Sequence, residues 1–147
     1  MPANRGVAGP FHNTLAFSGP KHMASKLIIV MANTDPRNGE ELGAPIFQAT
    51  VAAAMDFEVE VVCTATAGRL LRKGVAERLF VKSGSPKSVL DFIRDACEAG
   101  VKFWCCSPNL ELFDMKQEDL IPECSGVVGG AYLIERVMDD DYKVLSY

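Results

Sequence analysis

The sequence contains very little histidine, and this scarcity excludes more chemistry than any other feature of the chain. His12 and His22 are the only histidines, and both lie within the first 22 of the 147 residues. The rest of the chain therefore has no histidine for a Ser-His-Asp triad, a Cys-His dyad or a histidine metal site. A functional site there must use cysteine, carboxylates, basic side chains, hydroxyls or backbone amides.

Other signatures of specialised proteins are also missing. The apolar runs reach only about six residues, too short to span a membrane. The formal net charge is −4, so we expect no nucleic-acid partner. Neither GxGxxG nor GxxxxGK[ST] occurs, and Asp35, Glu40 and Glu41 would repel phosphate from the loop after the first predicted strand. We read this acidic loop as solvated rather than as a cation site, and we expect neither a cofactor nor a metal.

The first 25 residues are predicted to lie outside the folded domain. They contain three glycines, three prolines and no acidic residue, and they show no helical or strand period. Pro10, His12 and Asn13 interrupt the only candidate for a secretory signal. We expect residues 1–25 to be a flexible tail or a vector-derived extension, with Met23 as a plausible natural start. Residues 24–147 then hold 13 basic and 19 acidic residues, a formal charge of −6.

Residues 26–147 are predicted to form one domain in which strands and helices alternate. The predicted strands are 26–32, 58–64, 101–106, 126–130 and 142–146, and the predicted helical segments are 44–56, 67–74, 109–114 and 131–138. A further helix is predicted to open at Ser85-Pro86 and to end at Gly100. Residues 75–82 stay ambiguous between a helix and an extended connection. This alternation predicts a mostly parallel sheet covered on both faces, with ligands and chemistry beyond the carboxyl ends of the strands.

Five cysteines remain as candidates for chemistry, and we expect three of them to be inert. No secretory signal is evident, so a reducing cytoplasm without structural disulfides is expected. Cys63 lies inside an apolar strand and Cys97 on the apolar face of a helix, both typical of buried thiols. Cys124 follows Pro122 in a loop, and we favour a spectator over a resolving partner for another thiol.

Cys105 and Cys106 occupy the end of the third predicted strand. Adjacent strand residues point to opposite faces, so one thiol should enter the core and the other should face the crevice. Ser107-Pro108 then predicts a helix start, and a thiol at a helix N-terminus favours the thiolate. Cys106 is the nearer of the two and is our candidate nucleophile. Arg69 belongs to a small basic cluster that is read either as a solvated helix face or as a stabiliser of an anionic sulfur species.

Two stretches of the sequence resemble a known family. The first is KLIIVMANTDPRNGEELGAPIFQATVAAAMDFEVEVV, with a DP in its loop and an alanine-rich helix before a V-x-V-V strand. The second is GVKFWCCSPNLELFDMKQEDLIPECSGVVGGAYLIE, in which a strand, a cysteine, a short helix, DLI and a glycine-flanked strand follow in order. Together they resemble DsrE/DsrF-like proteins, the sulfur-relay family of the DsrEFH and TusBCD complexes, across essentially all of residues 26–147.

The resemblance implies a fold, an activity and partners. The implied fold is a three-layer α/β/α domain around a five-stranded, mainly parallel sheet. The implied role is a cytoplasmic sulfur carrier or sulfurtransferase that holds a persulfide and works with donor and acceptor proteins, as a homo-oligomer, often a trimer or hexamer. The family's cysteine maps to Cys106, with Cys105, Ser107, Asn109, Cys124 and Arg69 as possible supporting residues. Two alternatives stay open: a non-catalytic assembly subunit, and a thiol redox protein that pairs Cys106 with Cys124.

Overall fold

The computed structural model describes residues 23–147, so the prediction for residues 1–22 lies outside the described part. Within it, the chain makes ordered contacts from Ser25, one residue before the predicted start of the domain. The Ser25 amide donates to Asp141 Oδ1 at 3.0 Å, and its carbonyl accepts from the amide of Glu58 at 3.1 Å. These hydrogen bonds tie the start of the described chain to the first residue of one strand and to the residue just before another.

The centre of the fold is a five-stranded parallel sheet. Its strands are β1 (Lys26–Met31), β2 (Glu58–Cys63), β3 (Lys102–Cys106), β4 (Cys124–Val128) and β5 (Tyr142–Ser146), in the spatial order β4-β3-β2-β1-β5. All four neighbouring pairs are parallel. The α/β class with a five-stranded parallel sheet is confirmed.

Helices cover the two faces of this sheet. Among residues 23–147 there are four α-helices: α1 (Gly39–Ala54), α2 (Val89–Glu98), α3 (Pro108–Leu112) and α4 (Gly130–Val137). The chain steps from β1 to β2, β3 and β4 in one direction, so right-handed crossovers put α1 and α2 on one face of the sheet. The step from β4 back to β5 runs the other way and puts α4 on the opposite face. We call these the first face and the second face.

Two apolar clusters hold the layers together. The larger one lies on the first face, where Ile29, Val61 and Phe103 of the sheet pack against Ile46 of α1 and Ile93 of α2. The smaller one lies on the second face. There Ile28, Val62 and Val128 of the sheet pack with the partly buried Trp104, Tyr132, Leu133 and Tyr142.

Helix α1 starts five residues earlier than predicted. The sequence suggested a start at residue 44 because proline favours the first turn of a helix, but Pro45 lies inside α1. The true start is set by packing and charge. A Cβ at Gly39 would lie 2.0 Å from the Phe80 carbonyl oxygen, and Glu40 and Glu41 favour the positive end of the helix.

Helix α2 starts at Val89, so the prediction that Ser85-Pro86 opens this helix is wrong. Ser88 is the N-cap residue. Its hydroxyl accepts from the Asp91 amide at 3.2 Å, and the Asp91 carboxylate accepts from the Ser88 amide at 2.9 Å. This reciprocal pair satisfies two amides at the helix start, which Ser85-Pro86 does not provide.

The remaining predicted boundaries differ by a few residues. The segment predicted as helical at 67–74 is a 3₁₀ helix over Ala65–Leu71, and part of the ambiguous stretch 75–82 is a 3₁₀ turn over Ala76–Arg78. β4 begins two residues before its predicted start, while β5 has the predicted bounds. No helix within residues 23–147 combines the length and the apolar character needed to cross a bilayer.

Candidate functional site

Cys105 and Cys106 lie on opposite faces of the sheet, as adjacent strand residues must. Cys105 is fully buried in the first-face core, beside Phe103. Cys106 shares its side of β3 with Trp104, which belongs to the second-face cluster, and it is partly exposed. The structure thus resolves which of the two thiols is accessible: it is Cys106, the last residue of β3.

Cys106 sits where the connections of two neighbouring strands diverge. After β3 the chain enters α3, whose Leu110 packs on the first-face core, whereas after β4 it enters α4 on the second face. Such a divergence opens a crevice at the carboxyl edge of a parallel sheet. Cys106 pairs in register with Val128, and the Ser107 amide donates to the Val128 carbonyl at 2.8 Å. The thiol therefore lies at the carboxyl edge of the sheet, beside the end of β4.

Ser107 does not have the role that the sequence suggested. It was predicted to cap the helix that follows, but its backbone is already helical (φ −56°, ψ −39°) and its side chain makes no cap hydrogen bond. It is exposed, and its hydroxyl oxygen would lie 3.9 Å from a Cβ placed on Gly129. Ser107 is a polar neighbour of Cys106 near the start of α4.

Asn109 connects two loops at the carboxyl edge. Its side chain is 1% exposed, and its Nδ2 donates to the Ala65 carbonyl at 2.8 Å. Gly68 approaches so closely that a Cβ there would lie 1.5 Å from Asn109 Nδ2. Ala65 has a positive φ of 46°, a conformation that needs support from its surroundings. Asn109 supplies that support and anchors α3 to the 3₁₀ helix after β2.

Arg69 interacts with the far end of α3 and with the loop after β1. Its guanidinium carbon lies 4.9 Å from the centroid of the Phe113 ring, and its Nε is buried without a hydrogen-bond partner among the described residues. Hydrogen bonds from Arg37 lower the pKa of Asp35 to about 2, and the charge of Arg69 contributes to that effect. These contacts assign Arg69 to loop packing, and none of them involves Cys106.

The other cysteines gather on the first face. Cys63 and Cys105 are lateral neighbours in the sheet, and Cys97 and Cys124 pack against the same core. Burial raises the pKa of Cys97 to about 11 and that of Cys105 to about 12, and it raises those of Cys63 and Cys124 as well. A raised pKa keeps a thiol protonated at neutral pH, and the protonated form is a poor nucleophile.

Cys124 is poorly placed to resolve Cys106. It packs next to Cys105 on the first face, and its thiol donates to the Gly126 carbonyl at 3.3 Å. Cys106 lies on the second face. A disulfide between them would require one side chain to pass through the sheet. This geometry disfavours the alternative of a thiol redox protein that pairs Cys106 with Cys124.

A buried carboxylate cluster on the second face was not foreseen from the sequence. Glu60 is 8% exposed and accepts hydrogen bonds from Trp104 Nε1 at 2.9 Å, Arg136 Nε at 2.8 Å, Tyr142 Oη at 2.8 Å and the Tyr132 hydroxyl. Burial alone would raise the pKa of Glu60, but the hydrogen bonds from Tyr132, Tyr142 and Arg136, with the charge of Arg136, outweigh it and lower that pKa. The sequence feature that could have indicated this cluster is a glutamate, Glu60, at a buried position of β2.

The carboxylate cluster lines a separate polar cavity. The cavity has a volume of about 300 Å³ and is also lined by Lys102 and Gly100. Because Lys102 is the first residue of β3 and Cys106 the last, the cavity and the thiol lie at opposite ends of the strand. Within residues 23–147 no three or more His, Cys, Asp or Glu side chains are arranged to hold a metal ion.

The chain is therefore an α/β protein built on a parallel five-stranded sheet, with an accessible thiol at the carboxyl edge of that sheet. A family model for the DsrE/DsrF/DrsH-like family matches residues 69–145, and the chain belongs to this family. The family resemblance read from the sequence is therefore confirmed, and membership supports a role related to sulfur relay.

Two solved structures share the fold. YchN from E. coli is 15% identical, with a TM-score of 0.66, and the alignment covers 83% of this chain and 99% of YchN. MTH1491 from Methanobacterium thermoautotrophicum, a protein of unknown function, is 19% identical with a TM-score of 0.58, over 83% of this chain and 98% of its own. At these identities the likeness shows the fold alone. No functionally curated protein matches the chain.

Proposed function

We propose that the protein is a cytoplasmic sulfur carrier or sulfurtransferase that holds sulfane sulfur as a persulfide on Cys106 and passes it to a protein partner. The observation that carries this proposal is the separation of Cys106 from the other thiols. It lies on the second face at the carboxyl edge, whereas the other four lie on the first face, where burial raises their pKa values.

The chemistry needs no histidine and no added oxidant. The Cys106 thiolate attacks the outer sulfur of a donor persulfide, a new S–S bond forms at Cys106, and the donor's own S–S bond breaks. The donor leaves as a thiolate and takes up a proton from water. An acceptor thiolate then attacks the outer sulfur on Cys106 in the same way, and Cys106 returns to its starting state.

Among the supporting residues, we propose a part in this step for two. Ser107 offers an exposed hydroxyl next to Cys106, and Asn109 anchors the loop that follows. Cys105, Cys124 and Arg69 face the first-face core or the loops that pack on it, so we give them no part in the transfer. We further propose a homo-oligomer, a trimer or hexamer, as the working assembly.

The test is intact-mass spectrometry after incubation with an inorganic polysulfide. The wild-type protein should gain ~32 Da, the mass of one sulfur atom, and lose it on reduction. Cys106→Ser should gain nothing. Cys105→Ser and Cys124→Ser, the matched controls, should gain the same mass as the wild type.

The outcomes separate the proposal from its alternative. An adduct that persists in Cys106→Ser would refute Cys106 as the carrier. A wild-type protein that takes up no sulfur and whose Cys106 resists iodoacetamide would instead indicate a non-catalytic assembly subunit. A loss of ~2 Da after peroxide, with Cys106 and Cys124 joined in one disulfide-linked fragment, would restore the redox alternative.

A further inference from the structure

The polar cavity at the amino end of β3 is a second place in the molecule where charged side chains meet. Its volume of about 300 Å³ lies at the lower end of the range for small-molecule pockets. Six of its lining side chains are charged or carry a hydroxyl: Glu58, Glu60, Lys102, Tyr132, Arg136 and Tyr142. Because Cys106 lies at the other end of β3, the proposed sulfur transfer uses none of these groups.

The charges that line this cavity are unequally paired. Glu58 is paired with Lys26, whose Nζ lies 3.4 Å from Glu58 Oε2. Glu60 is paired with Arg136, with 2.8 Å between Arg136 Nε and Glu60 Oε2. Lys102 is exposed and lines the same cavity, yet its ammonium group has no ion pair or hydrogen bond among residues 23–147. One positive charge at the cavity is therefore left without a partner in the described part of the chain.

Arg136 also has hydrogen-bond donors that the fold does not use. A guanidinium carries five N–H groups. Its Nε donates to Glu60 Oε2 and its Nη1 donates to the Tyr132 carbonyl at 3.3 Å, so three of the five have no partner among the described residues. Two N–H groups of a planar guanidinium match the two oxygens of a carboxylate, and this bidentate pair is one of the strong hydrogen-bonded contacts of proteins.

The guanidinium of Arg136 is held in place by its neighbours. Its central carbon lies 3.2 Å from the centroid of the Tyr132 ring, and its Nε is fixed by Glu60. Glu60 is fixed in turn by hydrogen bonds from Trp104 and Tyr142. A side chain that is already ordered loses little conformational entropy when a ligand binds, so this arrangement favours binding.

We propose that the cavity binds a small monocarboxylate, whose carboxylate accepts from the unused N–H groups of Arg136 and from the Lys102 ammonium. One unpaired positive charge balances one negative charge, so a monoanion fits better than a dianion such as sulfate. The hydroxyl oxygens of Tyr132 and Tyr142 donate to Glu60 and keep lone pairs for a donor on the ligand. A 2-hydroxy carboxylate such as lactate satisfies both sets of groups.

The experiment uses Trp104 as its reporter, because it is the only tryptophan of the chain and its Nε1 donates to Glu60 beside Arg136. Sodium lactate is titrated into the full chain at constant ionic strength, and the fluorescence of Trp104 and the melting temperature are measured. The fluorescence should change saturably, and the melting temperature should rise because the ligand binds the folded state. Lactamide, which has the same shape without the charge, and sodium sulfate should produce neither effect.

Variants test the two groups that hold the carboxylate. Lys102→Gln removes the unpaired charge at an exposed position and should raise the Kd for lactate about tenfold or more. Arg136→Lys keeps a charge beside Glu60 but loses the planar fork, and it should raise the Kd as well. Lys143→Gln is the matched control, because Lys143 is an exposed lysine that follows Tyr142 and so points to the first face. Its Kd should equal that of the wild type.

Three outcomes would overturn the proposal. They are a lactate titration that changes neither the fluorescence nor the melting temperature, a response to lactamide or sulfate as large as that to lactate, and an unchanged Kd in Lys102→Gln. Circular dichroism verifies the fold of each variant, and Lys102→Gln alone decides if Arg136→Lys does not fold. Because every variant keeps Cys106, sulfur uptake can succeed or fail independently of lactate binding.

Discussion

At the scale of single residues, Glu60 illustrates how hydrogen-bond donors stabilise a buried charge. Replacing it with glutamine keeps the shape but removes the charge that Arg136 and the two tyrosines contact. We expect Glu60→Gln to lower the free energy of unfolding by about 1–3 kcal/mol at pH 7, the range for charged buried hydrogen bonds. Urea unfolding of the variant and the wild type measures this difference.

The same residue makes a pH-dependent prediction. The folded-state pKa of Glu60 lies below its ordinary value of 4.5, so its contribution is present above pH 4.5 and is lost as the pH falls through the lower folded value. The difference between Glu60→Gln and the wild type should therefore shrink in acid. A difference in unfolding free energy that stays constant from pH 7 to pH 3 would show that charge has no part in it.

At the scale of elements, the start of α2 offers a direct comparison between two serines. Ser88 forms the reciprocal pair with Asp91, so Ser88→Ala should cost about 1 kcal/mol of unfolding free energy, the usual value of an N-cap. Ser85→Ala is the matched control three residues earlier and should change it by less than ~0.5 kcal/mol. Equal losses in the two variants would contradict the observed helix start.

The same comparison shows what sequence patterns can predict in this protein. Strand positions, the α/β class and the opposite faces of Cys105 and Cys106 follow from local periodicity, which alternates strictly along a strand. The start of α2 is set locally by Ser88 and Asp91, whereas the start of α1 involves a residue distant in sequence: Gly39 lies against Phe80, and Pro45 lies inside α1. The preference of proline for the first turn of a helix is a local rule, so it does not take the contact between Gly39 and Phe80 into account.

The candidate site also has one part that the sequence predicts and another that depends on contacts between distant segments. Two adjacent cysteines at a strand end were enough to predict one buried and one accessible thiol. Contacts of Asn109 and Arg69 with Ala65 and Phe113 depend on how loops meet at the carboxyl edge. The Glu60 cluster joins four side chains from β3, α4 and β5, which no short-range pattern links.

At the scale of the whole molecule, the question is where the folding unit begins. Ser25 forms hydrogen bonds with Asp141 and Glu58, and the Lys26 amide donates to the Asp141 carbonyl at 3.1 Å. We propose that residues 1–22 are dispensable for folding and for the thiol. A chain starting at Met23 should therefore melt within ~2 °C of the full chain and should take up polysulfide sulfur to the same extent.

A second truncation, which removes residues 1–25, is the control because it deletes the Ser25 bonds as well. Their loss should lower the melting temperature by several degrees, since ~1 kcal/mol shifts the midpoint of a domain this size by about 3–6 °C. The two truncations thus measure the contribution of Ser25 separately from that of the residues before it.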